Sequence, residues 1–484
     1  MPPRTKTKIC THQNLIFTPS PHAHEAGYKQ PTLAQREAAA NPQGSLPLLF
    51  KNGRQDLGPN ESTFPAPLVL PDDELSRDPK YPVQSMKDWL MGGYRNAVTK
   101  RRKTIYVLPP PGCGVGSESV KGWTVPRLGK NGKRAKGEKD QREGWTEKET
   151  EHVLGYLRAF YWGMEVKMLD VGEGLQFIRD GEGEEGKEKE KGKSRKGGPK
   201  KEESPTLWLN THKPDDLIGI RTRATPKGAF SHQLNLTDLL EFAIEILPQD
   251  AYALLMLVEH DMFEDQEDEF VCGRAYGGSR VAVITTARYD PALDVMQGVE
   301  RVHAWPASHC QDYIQRCIEE AKEEEEDGEA QPKKKRQNMT TVEGEQQGER
   351  VSPMQAAVTA HTSLPALNLS PSSAALSGLW LGRVCRTVSH ELGHCFGIDH
   401  CVSYACCMQG SASIIEDARQ PPYLCPVDLA KVLRATGADD KIQERYRALE
   451  EFCKRFSEVH LFEAFGKWIK GRMVELDASE VERT

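Results

Sequence analysis

The string His390-Glu-Leu-Gly-His394-Cys-Phe-Gly397-Ile-Asp-His400 constrains this chain more tightly than any other part of it. Two histidines four residues apart share one face only on a helix, so the spacing predicts a helix here. Gly397 can adopt positive φ and end that helix, and the turn then returns His400 towards the first two rings. Three neutral imidazoles suit Zn²⁺ and leave a fourth position for water or substrate. Glu391 points beside such an ion rather than at it, where its carboxylate can take a proton from activated water. His390, His394 and His400 are therefore the expected ligands of a catalytic zinc, with Glu391 as general base. A chance helix with two such histidines needs neither the glycine nor a third histidine at fixed spacing. His400 also argues against a third ligand drawn from a later glutamate.

The rest of the chain is consistent with one sizeable core interrupted by polar inserts. It has 484 residues, 38% hydrophobic and 28% charged, with a formal charge of -7. That charge is small and unevenly spread, so no nucleic-acid or anionic-membrane partner is expected. The N-terminus lacks an apolar h-region and no run of 18 apolar residues occurs. Neither a signal peptide nor a membrane span is expected, which predicts an intracellular, cytoplasmic chain. Twelve cysteines in a reducing compartment should be thiols, and the crowding of Cys395, Cys401, Cys406, Cys407 and Cys425 points to metal binding. Cys395, between the ligands and the turn, is expected to be packed core.

Three regions are expected. Residues 1–80 are rich in Pro, Asn, Gln and Ser and read as largely irregular. Residues 81–436 read as an α+β sheet domain, and 437–484 as a helical extension. Two charged inserts, 181–204 and 321–352, lack the apolar side chains needed to offset ordering and read as disordered. The second contains Lys333-Lys-Lys-Arg336, which resembles a nuclear localisation patch but equally fits a solvated polyampholyte beside its acidic run.

Within the central region a short helix is predicted near 84–94 and a strand over Lys103–Leu108, stopped by three prolines. A helix follows Thr146, whose spacing to Glu149 is a capping box, and a strand follows over 164–169. Thr237 is a candidate cap for a helix bearing Leu239, Phe242 and Ala243, ahead of a buried strand at Ala251–Val258. Arg280–Thr285 reads as a further strand. Helix resumes near 376 and runs into the histidines. Asp261 and Arg288 flank these strands, and nothing in the sequence gives either a chemical role.

Past His400 come Cys401, Cys406, Met408 and then Cys425-Pro-Val-Asp428. With the histidine string, these residues resemble the archaemetzincins, a metzincin family of zinc peptidases with the pattern HExxHxxGxxHC-x4-C-x-M and a later CxxC pair. The resemblance is close at the motif and looser around 104–108, 237–258 and 270–289. It implies a metzincin or zincin-like catalytic domain with a mixed β-sheet over the active-site helix. It also implies a second, structural zinc held by four cysteines, with Met408 forming a floor beneath the histidines, and Arg280–Thr285 as a candidate edge for extended peptide by strand addition. An ordinary core strand is the alternative there. Cys401, Cys406 and Cys425 match three of the four sulfur ligands, but the last is Asp428, and the Met408–Cys425 spacing is one residue short. Asp428 could complete the site through a carboxylate oxygen, Cys407 could replace the missing thiolate, or the site could be metal-free with buried thiols.

The expected activity is hydrolysis of peptide bonds in a peptide or protein substrate. The rival from another class is a catalytically inactive, zinc-stabilised interaction protein. Glu391 discriminates, because a purely structural zinc site needs no glutamate after its first histidine.

Overall fold

The computed structural model describes residues 10, 12–41, 60–93, 95–114, 117–128, 144–171, 174–179, 206–210, 217–328, 351–367 and 371–481. Its strands are β1 (Thr104–Leu108), β2 (Gly112–Cys113), β3 (Glu165–Met168), β4 (Gln176–Arg179), β5 (Thr206–Asn210) and β6 (Leu217–Ala224). They continue with β7 (His232–Asn235), β8 (Ala251–Val258), β9 (Met262–Phe263), β10 (Gly273–Tyr276) and β11 (Val281–Thr285). A five-stranded sheet has the order β10-β11-β8-β1-β3, and a six-stranded one the order β2-β4-β5-β6-β7-β9. The protein is thus a mixture of helix and sheet.

The first sheet is parallel except for β10, which pairs antiparallel with β11. All eight residues of β8 are buried, the signature of a strand covered on both faces. Alternate side chains divide between two cores. Ala253, Leu255 and Leu257 face the cluster that includes Val384, Val388 and Leu392 of the Ser373–Cys395 helix. Leu254, Met256 and Val258 join Leu239, Phe242 and Ala243 of the Leu236–Glu245 helix. The strands that the sequence signals most clearly are therefore those buried on both sides.

Most expected elements appear close to their predicted bounds, with three corrections. The helix expected near 84–94 spans Met86–Met91, and the Thr146 capping box is present, Glu149 accepting from the Thr146 amide at 3.1 Å. The cap of the Leu236–Glu245 helix, however, is Asn235, whose side chain accepts from the Asp238 amide at 3.1 Å, not Thr237. The second correction concerns the edge. Val281–Thr285 is fully buried between β10 and β8, so the exposed edge is β10. The third concerns the second charged insert. Residues 321–328 continue the Gln311–Gly328 helix, and Ser352 caps the Pro353–Ser363 helix through the Gln355 amide. Glutamate and lysine are good helix formers, and Ile314 and Ile318 anchor the start of that helix in a buried cluster. The 181–204 insert and Lys333–Arg336 lie outside the described residues.

Flanking segments complete the main core. Phe64, Ala39 and Ala40 from the N-terminal side share the apolar cluster of the histidine-bearing helix, as do Leu449, Phe462 and Trp468 of the Ile442–Lys454 and His460–Val481 helices. The Tyr28 hydroxyl donates to the Val402 carbonyl at 2.8 Å, and Trp468 donates to Thr63 at 3.1 Å.

Asp261 and Arg288 form an ion pair at 2.6 Å with side-chain exposures of 1% and 3%, and Gln233 donates to the same carboxylate at 2.8 Å. This buried network ties β7 to the loops after β8 and β11. Asp261→Ala leaves an unpaired buried guanidinium and should lower stability by about 3–5 kcal/mol in denaturant unfolding. A loss below ~1 kcal/mol would show that Arg288 reaches solvent instead.

Candidate metal centres and active-site cleft

His390 and His394 lie in the last two turns of the Ser373–Cys395 helix. Gly397 follows with φ of 74°, where a side chain would be strained, and the chain reverses towards His400. One ring nitrogen from each of the three histidines lies within 4.8 Å of the others. The hydrogen bonds fix which nitrogens these are for the first two. His390 Nδ1 sits 2.8 Å from the Cys407 carbonyl and His394 Nδ1 2.7 Å from the Ile398 carbonyl. A carbonyl only accepts, so each Nδ1 carries the proton and each Nε2 presents a lone pair.

Those two Nε2 atoms face each other at 3.1 Å. Burial, followed by the neighbouring His394 and His400, holds His390 well below the usual imidazole range, and burial with His400 lowers His394 to about 4. Burial also lowers His400. With neither Nε2 protonated, the facing lone pairs repel unless a cation lies between them. Two nitrogens on a tetrahedral zinc at ~2.0–2.1 Å stand roughly 3.3 Å apart, so the spacing fits such an ion. The ring centroid of His400 is 5.3 Å from that of His390 and 5.1 Å from that of His394.

Met408 lies against the helix at Gly393. A Cβ at that glycine would stand 2.3 Å from the Met408 sulfur, so the methionine contacts the backbone between the two histidines only because residue 393 has no side chain. The helix is approached as closely from its other side, where a Cβ on Gly277 would stand 2.3 Å from the His394 carbonyl oxygen. Gly277 follows β10, so the end of the edge strand approaches the histidine helix closely because residue 277 has no side chain.

Glu391 is 8% exposed and lines the same cleft of about 1360 Å³ as the three histidines, β10 and the loops that follow it. Burial pushes its carboxyl up to about 8, against the pull of Arg274 on β10. Arg274 carried no signal in the sequence, because its position beside Glu391 depends on sheet topology. Cys395 is fully buried in the main core, as expected.

The second cluster is wholly buried. Cys401, Cys406, Cys425 and Asp428 offer four ligand atoms within 4.8 Å of one another. Cys401 and Cys425 sulfurs are 3.5 Å apart, and Asp428 Oδ2 lies 3.3 Å from Cys406 Sγ and 3.5 Å from Cys425 Sγ. The Met408 and Cys425 amides donate to Cys406 Sγ at 3.4 and 3.2 Å, as amides do to thiolates. Cys407 is turned away, with its sulfur on the Arg386 carbonyl at 3.6 Å. Of the two ways to complete the set, the geometry favours the carboxylate.

Lys431, itself 2% exposed, reaches Asp428 Oδ1 at 3.4 Å and the Gln84 side-chain oxygen at 2.9 Å. Asp428 thus directs one oxygen into the sulfurs and the other to a buried ammonium. Lys431 escaped the sequence reading, although its position three residues along the same helix was a usable signal.

Residues 356–434 match the model of Peptidase family M54. Over these residues the chain is archaemetzincin-like. It is 46% identical over 74 residues to archaemetzincin-2 of Macaca fascicularis and of Homo sapiens, covering 15% of this chain and 20% of either relative. To archaemetzincin-1 of Homo sapiens it is 37% identical over 73 residues, 15% of this chain and 14% of that one. The chain therefore spans about one fifth of the length of the archaemetzincin-2 relatives it matches. The crystal structure of archaemetzincin from Methanopyrus kandleri aligns with 14% identity and a TM-score of 0.28 over 70% of this chain and 97% of that one. A zinc-dependent peptidase from Methanocorpusculum labreanum aligns with 13% identity and a TM-score of 0.28 over 68% and 99%. The archaemetzincin-like segment contains both clusters, from His390 to Asp428.

Asp428→Ala should lose an equivalent of zinc and Asp428→Cys should keep it, read as zinc released per chain on denaturation. Retention by both variants would remove Asp428 from the ligand set.

Proposed function

We propose that this chain is a zinc metallopeptidase with a metzincin-like catalytic domain. His390, His394 and His400 hold a catalytic zinc, and Cys401, Cys406, Cys425 and Asp428 hold a second, structural one. The observation that carries the reading is the pair of unprotonated Nε2 atoms facing each other at 3.1 Å beside a buried carboxylate. Zinc bound there supplies Lewis acidity towards water and a scissile carbonyl. The sulfur-rich set supplies no open position and braces the turn that carries Met408.

The chain's own residues do the rest. Glu391 takes a proton from the attacking water, whose oxygen bonds to the carbonyl carbon. It then delivers that proton to the amide nitrogen as the carbon–nitrogen bond breaks. β10 is an edge strand along the cleft, and its free backbone side is suited to pairing with an extended peptide. A peptide or protein is therefore the proposed substrate. No helix among the described residues is long and apolar enough to cross a membrane.

Glu391→Ala tests the reading against that of a zinc-stabilised interaction protein. Peptide-library turnover should fall by about 10²–10⁴-fold with zinc content unchanged. Equal turnover by parent and variant would overturn the enzyme reading and leave the metal reading standing. Gly277→Ala should cost about 1–3 kcal/mol by forcing the β10 turn off the His394 carbonyl. Thermal unfolding of the two forms checks this, and an unshifted midpoint would contradict the close approach.

A further inference from the structure

The segment around Cys10 and His12 is not part of either cluster described above. It is fastened to the loop that precedes the Gln311–Gly328 helix. The Ile16 amide donates to the His309 carbonyl at 2.9 Å, the Gln311 amide donates to Asn14 at 2.8 Å, and Leu15 forms an antiparallel bridge with Cys310. This lacing brings Cys10 and His12 beside His303, nearly three hundred residues along the chain.

Cys10, His12 and His303 each offer a ligand atom within 4.8 Å of the others. His303 is 7% exposed, and its Nε2 is buried with no hydrogen-bond partner. The Nε2 of His12 is likewise buried and unpartnered. Buried polar atoms left in this state call for a ligand, because each forfeits its hydration with nothing in return. His12 also holds a φ of 53°, a left-handed conformation uncommon for residues other than glycine.

The outer contacts of His303 are those of a metal ligand. Its Nδ1 is 2.8 Å from a Glu300 carboxylate oxygen, an acceptor that holds the proton on Nδ1 and leaves the buried Nε2 with a lone pair. Arg316 grips the same carboxylate with two hydrogen bonds, at 2.8 and 2.7 Å. Tyr313 stacks on the His303 ring at 4.3 Å and fixes its plane. On the other side, Cys310 Sγ lies 3.1 Å from Cys10 Sγ, where a thiol can donate to a metal-bound thiolate.

We infer that Cys10, His12 and His303 form a further zinc site that clips the N-terminal segment to the loop before the Gln311–Gly328 helix. One thiolate and two neutral imidazoles suit a borderline-soft divalent ion. The Glu300 carboxylate balances the remaining positive charge. Zinc binding here displaces one proton, from the Cys10 thiol, to solvent. The inference is independent of the proposed catalysis, since none of these residues lines the active-site cleft.

The test is zinc stoichiometry on the full chain under reducing conditions, with Zn²⁺ as the probe. Cys10→Ser and His12→Gln should each carry one equivalent fewer than the parent, with unaltered peptidase activity. His12→Cys should restore that equivalent. Glu300→Gln should weaken its binding by about 10–100-fold. Unchanged zinc in both Cys10→Ser and His12→Gln would overturn the inference. So would a Cys10–Cys310 disulfide found by non-reducing peptide mapping of the protein purified from its host, since that bond would consume the thiolate.

Discussion

Two carbonyl oxygens, those of Cys407 and Ile398, claim the Nδ1 hydrogens of His390 and His394. Everything at the proposed active site depends on that commitment. It fixes each ring's tautomer, sets each ring plane, and leaves two lone pairs facing across 3.1 Å in a half-buried place. Protonation would relieve the repulsion in water, but burial opposes it. A divalent cation is the remaining remedy, and under the proposed function the helix, the Gly397 reversal and His400 would hold it.

The Cys407 carbonyl is itself held beside the second cluster. Cys407 lies between Cys406 and Met408, and Met408 contacts two of the three cysteines of the cluster, accepting from the Cys401 amide at 2.8 Å and donating through its own amide to Cys406 Sγ at 3.4 Å. A structural zinc there would fix the turn whose carbonyl orients His390 and whose methionine presses on Gly393. The two proposed ions are coupled through a few residues of backbone. Replacement of one thiolate by Asp428 keeps the formal ligand charge the same, and Lys431 offsets part of it from within the core.

How much of this was legible follows from how local each feature is. His390, Glu391, His394, Gly397 and His400 are readable because helical spacing alone brings them together. β1, β8 and β11 are readable because strands buried on both faces are nearly continuous apolar runs. β10 was missed because its four residues, Gly-Arg-Ala-Tyr, are half-exposed and show no alternation. Sheet order is not written in the strands themselves, so β11 was a plausible edge until β10 was found beside it. Asn235 won the cap from Thr237 because it stands where the Asp238 amide needs an acceptor. β4 and β5 are short strands, and with the longer β6 they border residues whose charge obscured them. Cys10, His12 and His303 carry no spacing signal at all, since only the folded chain brings them together.

The most direct measurement is an anomalous difference map at the zinc edge from crystals grown with Zn²⁺. A peak about 2.0–2.1 Å from Nε2 of both His390 and His394, and bound also by His400, is the expected result. Crystals saturated with zinc that show no peak between these rings, or His390 and His394 bound through Nδ1, would contradict the account at its root.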